Sequence, residues 1–471
     1  MAKKLLGSIV VTRNKSASLQ SQLAMGLKRA IQSGTLAAGD QIPSTRELAS
    51  ELALSRNTVT AAYDQLVSEG YLESAPRSGI FVARSLAGYV LPPSARASPD
   101  PVPSPAARRS TGPLPFRPSQ PDVRLFPLAL WNRMRARALS RYGASLLHYQ
   151  SNDSLSWPAL ARALAGYLQD SRGVRCQWDD VAVTTGSQQA LYLLAHVLAR
   201  PGRTVYVEDP GYPGAKAAFE QAGAAIVPLP VDQDGVVPPA SIEPGSVIYT
   251  TPSRQFPTGA SLPVARRMAL IRVAHEAGGW IIEDDYDSEF RYGRGPLPSL
   301  HGLDPDGSVI YVGSMSKVLF PSLRIGYVVL PPRLREPFRE LRAVVDDHGP
   351  VVDQAALAEF ISSGSFHSHI RRCRKEYARR LDTFVTAAGR SRLPLDFAHT
   401  SGGMNLTGIF REPPPGGDVA ASARLDEKGF STPPLSRFAI APVAPGLVFG
   451  FTAFDDAVIR GGLTRIASLL R

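Results

Sequence analysis

The side chains best suited to chemistry lie just beyond short apolar runs. Lys317 closes Ser314–Met315–Ser316–Lys317 directly after Val309–Ile310–Tyr311–Val312–Gly313, and Arg324 follows seven residues later. A lysine amine so placed can condense with an aldehyde to form an imine, provided its proton is loosely held. A second apolar run, Ile281–Ile282, ends in Glu283–Asp284–Asp285–Tyr286–Asp287, which delivers carboxylates and a phenol together. Acids this close repel one another when buried unless a cation joins them. Thr184–Thr185–Gly186–Ser187–Gln188 stands between an apolar run and a helical pattern. Free backbone N–H groups and the helix dipole attract a phosphate at such a junction. Asp209–Pro210–Gly211–Tyr212–Pro213 reads as a turn whose tyrosine can lie flat on a planar ring. Thr250–Thr251–Pro252–Ser253 and Pro257–Thr258–Gly259 complete the set.

Taken singly, each segment has an ordinary reading: a loop lysine is usually a solvated charge, and a strand-to-helix turn is usually only a turn. Together they supply what pyridoxal phosphate requires. That cofactor needs a lysine for the imine, an acid to keep the pyridine nitrogen protonated, a partner for the phenolate, and a phosphate cradle. A protonated pyridine nitrogen would also relieve the repulsion among the clustered acids.

The elements that must position these groups follow from periodicity. From about Phe116 onward, helical stretches such as Trp157 to Leu168 and Gln188 to Leu198 alternate with short apolar runs. The runs are Val181–Val183, Thr204–Val207, Val247–Tyr249, Trp280–Ile282 and Val309–Val312, and they predict an α/β fold around a mostly parallel sheet. Ligands sit beyond the carboxyl ends of strands in such sheets, which is where Lys317 falls. Ten prolines between Pro92 and Pro121, mixed with Ala, Ser and Arg, mark a linker. The expected division is 1–83, 84–115 as linker, and 116–471.

The N-terminal stretch has a different pattern. Leu19, Leu23, Leu27 and Ile31 recur every four residues and Gly34 ends the helix; Ser44 and Glu47 have capping-box spacing before a second helix with Leu48 and Leu52 on one face. Ser55 caps a third helix, with Val59, Tyr63, Leu66 and Val67 expected as its buried stripe. Tyr71–Glu73 and Gly79–Val82 then flank a hairpin turn at Ala75–Ser78. Three helices and a hairpin make a winged helix-turn-helix, whose third helix enters the major groove of double-stranded DNA with its first turn. The polar residues off the stripe there are Ser55, Arg56, Asn57, Thr58 and Thr60. Arg suits guanine, Asn suits adenine, and Ser and Thr suit phosphates. Ser44, Thr45 and Arg46 are placed to hold the backbone, and Arg77 at the wing tip to reach the minor groove. Ser44 and Ser55 also read simply as caps.

Charge distribution agrees with this. Of the net +11, residues 1–85 contribute 10 Lys/Arg against 6 Asp/Glu and residues 86–141 contribute 9 Arg against 2 Asp, so the remainder balances. A basic excess at one end points to a polyanionic partner for that end. No apolar run is long enough to span a bilayer and the N-terminal run is too short for a secretory signal, so a cytoplasmic protein is expected. Cys176 and Cys373, the 2 cysteines, lack metal or disulfide spacing and read as packed thiols.

Gln41–Ile42–Pro43–Ser44–Thr45–Arg46–Glu47–Leu48–Ala49, Ser55–Arg56–Asn57–Thr58–Val59 and Gly70–Tyr71–Leu72 resemble GntR-family winged helices. The later segments, in their order, resemble fold-type I pyridoxal-phosphate enzymes of aminotransferase class I. Together the two halves resemble the MocR-type (GabR-like) regulators of the GntR family. The resemblance implies Lys317 as the Schiff-base lysine, Asp284 as the pyridine-nitrogen partner, Tyr286 as the phenolate partner and Tyr212 as the stacking ring. It implies a phosphate held by Ser314, Arg324, Gly186, Ser187 and Gln188, with Tyr149 reaching the phosphate of a neighbouring subunit in a homodimer. Three departures stand out. Arg254 and Phe256 replace a histidine and an asparagine usual in relatives; Gln150–Ser154 lacks the usual glycine-rich lead-in; and Leu447–Val448–Phe449–Gly450–Phe451 has no arginine where aminotransferases clamp the substrate carboxylate. Arg437 is a candidate substitute for that clamp.

Two functions follow. In the first, pyridoxal phosphate on Lys317, alone or with a small amine or amino-acid effector, controls DNA binding. In the second, the chain is a working aminotransferase that also binds DNA; the missing arginine argues against ordinary amino-acid turnover, and a fold never proves activity. A body serving only as a dimerisation platform would make the complete cofactor set a coincidence.

Overall fold

The computed structural model describes residues 11–12, 18–75, 78–86, 114–150, 155–199, 201–292, 298–398 and 402–470. The chain divides into two compact units, Met1–Arg109 and Ser110–Arg471.

In the first unit Ser18 caps α1 (Leu19–Gln32), accepting from the Ser21 amide. Ser44 caps α2 (Thr45–Glu51) in a complete capping box: the Glu47 amide donates to Ser44 Oγ at 3.2 Å and the Ser44 amide to Glu47 Oε2 at 2.8 Å. Ser55 caps α3 (Arg56–Ser68). Such caps satisfy N–H groups that a helix start leaves without partners. The wing is β1 (Leu72–Ala75) paired antiparallel with β2 (Gly79–Val82). Leu23, Leu27, Leu48, Val59, Tyr63, Leu66, Leu72 and Val82 form one core, and the Tyr63 hydroxyl donates to the Pro43 carbonyl at 2.9 Å. Val67 is 38 % exposed, contrary to its expected place in the buried stripe. Ala62 takes that place, because it falls between Val59 and Leu66 on the 3.6-residue period whereas Val67 falls off that stripe.

The second unit opens with α4 (Leu128–Tyr142) and α5 (Pro158–Arg172). Its main sheet is built from β3 (Val181–Thr184), β4 (Thr204–Asp209), β5 (Ala225–Asp232), β6 (Gly235–Val236), β7 (Val247–Thr250), β8 (Trp280–Asp285), β9 (Val309–Ser314) and β10 (Gly326–Val329), in the order β3-β10-β9-β8-β7-β4-β5-β6. Strands β4, β5, β7, β8 and β9 run parallel, while β10 is antiparallel to both β9 and β3. The crossovers are helical: α6 (Ser187–Leu198), α7 (Pro213–Gln221), α8 (Val264–Glu276), α9 (Leu300–Leu303) and α10 (Met315–Val318). Apolar side chains on both faces of the sheet lie in separate clusters, one around Val183, Tyr311 and Val329, the other around Val207, Tyr249 and Ile310. Two-sided burial explains why these strands read as continuous apolar runs rather than alternating ones.

After α11 (Pro332–Val345), α12 (Val351–Ser362) and the long α13 (Ser365–Ser391) comes a second sheet of β11 (Leu395–Phe397), β12 (Asn405–Phe410) and β13 (Gly446–Gly450), with α14 (Gly417–Glu427) and α15 (Asp456–Leu469). Phe116 closes this part from the start of the unit. It is fully buried against Phe384, Phe430, Phe449 and Phe454, and its carbonyl accepts from the Gly450 amide at 2.8 Å. Phe116→Ala is therefore expected to cost about 3–5 kcal/mol of unfolding free energy. The measurement is a urea titration, in which the midpoint should fall at unchanged slope; a loss below about 1 kcal/mol would show that the ring does not anchor the segment.

Candidate functional site

The strand topology brings the chemically active segments to one edge. Parallel β3, β4, β7, β8 and β9 all end there, so Gly186–Ser187, Tyr212, Thr251, Asp284 and Lys317 arrive from separate crossovers. Antiparallel β10 begins at the same edge, and Gly326 pairs with both Thr184 and Ser314, which carries Arg324 in from the opposite direction. A cavity of about 840 Å³ opens over this edge. Its lining includes Lys317, Asp284, Tyr286, Tyr212 and Ser187.

The acids at the end of β8 separate by alternation along the strand. Glu283 accepts from the Leu300 and His301 amides at 2.9 and 3.0 Å. Asp285 meets the buried Arg172 at 2.8 Å and the Tyr311 hydroxyl at 2.5 Å. Asp287 lies 3.4 Å from Arg254, and Glu289 accepts from the Tyr167 hydroxyl at 2.8 Å. Two buried arginines of the protein thus relieve much of the repulsion expected to need the cofactor. Asp284 is the acid left over. Tyr249 donates to its Oδ2 at 2.8 Å, while Oδ1 is buried without a hydrogen-bond partner. Asp285, Asp287 and Glu289 also leave one oxygen unpartnered, but only Asp284 among these acids lines the cavity. Burial pushes the Asp284 carboxyl up to about 7, with the Tyr249 hydrogen bond opposing. An acceptor oxygen in this position fits a protonated ring nitrogen, whose charge would restore the ionised form.

Lys317 is half-buried and its Nζ donates to the Ser119 carbonyl at 3.2 Å. Ser119 has φ 58, a left-handed conformation uncommon for a residue with a side chain. It is held there by Asn405, whose Oδ1 accepts from the Ser119 amide at 2.6 Å. The Lys317 ammonium is lowered below the ordinary lysine range, chiefly by burial; Asp287 and Asp284 oppose this, and Arg324 and Arg117 add repulsion. Arg324 is the lesser contributor because loss of water outweighs a guanidinium that is itself exposed.

The segments expected to hold a phosphate are closely packed. Gly186 caps α6 with φ 102, and a Cβ there would lie 3.0 Å from Arg324 Nη2. Gly326 is equally constrained, since a Cβ would stand 2.7 Å from the Ser187 amide nitrogen. Only bare backbone lets the start of α6, with its free amides, pack so near Arg324. Gln188 accepts from the Tyr212 hydroxyl at 3.0 Å and Ser314 caps α10, so both brace the site without lining the cavity. Tyr286 and Tyr212 each meet Phe256 edge-on at 6.0 Å. Burial raises the Tyr286 phenol well above its ordinary range. Tyr149 is 90 % exposed and takes no part in the cavity of its own chain. Arg437 lines the cavity from a short turn, Leu435–Phe438. Thr251, from a segment the sequence singles out, lines the cavity, whereas sequence reasoning missed Tyr249, Ser119 and Arg117, which line it too. Tyr249 had a signal, a phenol at the end of an apolar strand, whereas nothing local marks Ser119.

In the winged helix, Arg46, Arg56 and Asn57 are exposed, and Arg46 and Arg56 form no ion pair with any described residue. Thr45, Thr58 and Thr60 are half-buried. Ser44 and Ser55 spend their hydroxyls on caps, and Ser55 also bonds Thr58 Oγ1 at 2.7 Å. Arg77 lies outside the described residues.

Residues 19–82 match the family of bacterial regulatory proteins, gntR family, and residues 138–414 match aminotransferase class I and II. Among solved structures, LysN, the α-aminoadipate aminotransferase of Thermus thermophilus complexed with N-(5'-phosphopyridoxyl)-L-leucine, is similar with a TM-score of 0.69 and 28% identity, over 76% of this chain and 92% of its own. A gntR-type winged helix joined to this fold defines a transcription regulator with a pyridoxal-phosphate body. The chain is 36% identical to the probable rhizopine catabolism regulatory protein MocR of Rhizobium meliloti, over 98% of this chain and 95% of that protein. It is 34% identical to the HTH-type transcriptional regulator TauR of Rhodobacter capsulatus, over 96% and 97% respectively. The chain belongs to the MocR-type branch of the GntR family.

Two expectations follow. The raised Asp284 carboxyl means that the folded cofactor-free protein keeps a proton that the unfolded chain has released, so this group costs stability as pH rises from 3.8 toward about 7. Unfolding free energies of wild type and Asp284→Asn should therefore diverge over that window, the wild type losing ground by more than about 1 kcal/mol; a constant difference would refute the shift. On the DNA side, Arg56→Ala should cost about 1–3 kcal/mol and relax preference at one base pair, while Arg46→Ala should weaken all duplexes alike and lower the salt slope by about 1. Binding titrations over a salt series with operator and scrambled DNA separate the two.

Proposed function

We propose that the cavity of the body reports its occupancy to the winged helices, so that pyridoxal phosphate on Lys317, alone or with an amine or amino-acid effector, controls DNA binding. The observation that carries this reading is the buried, unpartnered Oδ1 of Asp284 facing the same cavity as the depressed amine of Lys317. When bound, pyridoxal phosphate supplies an aldehyde that takes up primary amines. Asp284 would keep its ring nitrogen protonated, Tyr286 would partner its phenolate, Tyr212 would offer a flat face to its ring, and Gly186, Ser187, Gln188, Ser314 and Arg324 would hold its phosphate. Burial keeps Lys317 poised to give up its proton, and the Ser119 carbonyl orients its Nζ.

The unit of function is a homodimer in the cytoplasm, with Tyr149 reaching the partner's phosphate; its 90 % exposure leaves it available for that. Among the described residues no helix is long and apolar enough to cross a membrane. Residues 1–83 form the DNA-binding domain, 84–115 the linker, and 116–471 the cofactor domain. An effector moves the equilibrium only if it binds one arrangement of the regulator more tightly than the other.

The test is an absorbance spectrum of the full-length protein and of Lys317→Ala, followed by amine titration with promoter-DNA affinity measured alongside. A visible band that requires Lys317, shifts with an amine and tracks a change in DNA affinity is the expected result. Steady release of a keto product would turn the reading to an aminotransferase. No band after addition of pyridoxal phosphate would remove the cofactor role.

A further inference from the structure

We propose that Ser422, Asp426 and Ser431 form a hydrogen-bonding subsite in the cavity, which makes the effector a primary amine that also carries hydroxyl groups. The proposal rests on the reading of Lys317 as the amine-exchanging centre and names the chemistry of the rest of the ligand. Helix α14 is held by its inner stripe. Ala421 and Leu425, four residues apart, are fully buried in one cluster with Phe449 and Phe454. In its first turn, Asp418 accepts from the Ser436 hydroxyl at 2.7 Å and from the Ser436 amide at 3.0 Å. Ser422 and Asp426, each one residue further on, share the neighbouring stripe, and both line the cavity. Ser431 follows the helix and lines the cavity too, its amide donating to the Pro115 carbonyl at 2.9 Å.

These three side chains arrive without partners. Ser422 is only 4 % exposed, yet its hydroxyl bonds no described residue. The same holds for the Ser431 hydroxyl and for the exposed Asp426 carboxylate, which also forms no ion pair with any described residue. A hydroxyl withdrawn from water and left unbonded loses free energy that a ligand group can restore. The donor and acceptor inventory selects that group. A carboxylate only accepts, whereas a serine hydroxyl both donates and accepts, so the trio suits groups that can do both. Ligand hydroxyls meet this requirement, and adjacent ones can donate together to one carboxylate. A second ammonium offers donors alone and would be repelled by Arg117 and Arg437, which line the same cavity. A plain alkyl chain would leave all three groups unpaired. At about 840 Å³ the cavity is large enough for a ligand that extends from Lys317 to this subsite.

The test uses full-length protein loaded with pyridoxal phosphate. Ethanolamine, serinol and glucamine are titrated against ethylamine, isopropylamine and hexylamine, which share their carbon skeletons, and the shift of the visible band and the heat of binding are recorded. At least one hydroxylated amine should bind about tenfold tighter than its plain counterpart, and Ser422→Ala and Asp426→Ala should each reduce that ratio about fivefold. Both variants should keep the band and the affinity for the plain amines, which separates loss of recognition from loss of folding. Arg390→Gln, on an exposed face of α13, should leave the ratio as it is. In a wild type that shows the band, equal affinity for hydroxylated and plain amines, binding of neither, or a preference that survives in both alanine variants overturns this proposal alone. A wild type without the band defeats the cofactor reading and this proposal with it.

Discussion

Strand β8 drives a row of carboxylates into the middle of the body, and the rest of the site follows from how each is neutralised. Glu283, Asp284, Asp285, Asp287 and Glu289 are all buried within seven residues. Buried charges left without partners would cost several kcal/mol each. The strand's alternation sends Glu283 and Asp285 to one face, where backbone amides of α9 and the guanidinium of Arg172 receive them. Arg172 lies 113 positions earlier in the chain, at the end of α5, so this one pair fixes that helix against the sheet. Arg254 meets Asp287, and Tyr167 meets Glu289. Removing either arginine would strand a buried carboxylate, so these pairs hold the geometry of the edge as well as its charge.

Asp284 is the acid that the protein itself does not neutralise. Its neighbours are a phenol and an amine, so burial dominates and pushes the carboxyl up to about 7. The same loss of water acts in the opposite sense on Lys317, favouring the uncharged amine. Two groups that would form an ion pair in water are each pushed toward the neutral form. A ring that brings its own proton and an aldehyde suits both. The antiparallel strand β10 adds the third requirement, since its reversed direction is what places Arg324 at an edge otherwise made of strand ends.

Much of this was legible in the sequence, for identifiable reasons. The capping box of Ser44 and Glu47, the Ser55 cap and five strands of the main sheet were readable because caps and apolar runs are local signals. Strand β10, Gly326–Tyr327–Val328–Val329, was not singled out although it is as long as β3 and β7, and β5 escaped because Pro228 and Pro230 interrupt it near the sheet edge. Val67 was misjudged because apolarity alone does not set helix phase. The carboxylate partners were out of reach, since Arg172 and Arg254 declare nothing about Asp285 and Asp287 until the sheet is assembled. Arg117 counted only toward the basic excess around the linker, and Ser119 not at all, although both line the same cavity as Lys317. Such residues act through long-range placement, which spacing in a single sequence does not encode.

The absent arginine on β13 bears on how such a body can serve a regulator. Turnover requires interactions that strengthen in the transition state, whereas a sensor requires only that its two states hold the ligand with different affinity. A clamp built into the sheet holds its ligand in one fixed place, because a strand interior does not rearrange. Arg117 and Arg437 line the cavity instead from connections between elements, which backbone hydrogen bonds from Gly450 to Phe116 and from Gly211 to Phe438 tie to the rest of the unit. Asp284 and Lys317 thus stand at the sheet edge while the cavity's arginines stand on connections between elements, so a ligand filling the cavity touches both kinds of support at once.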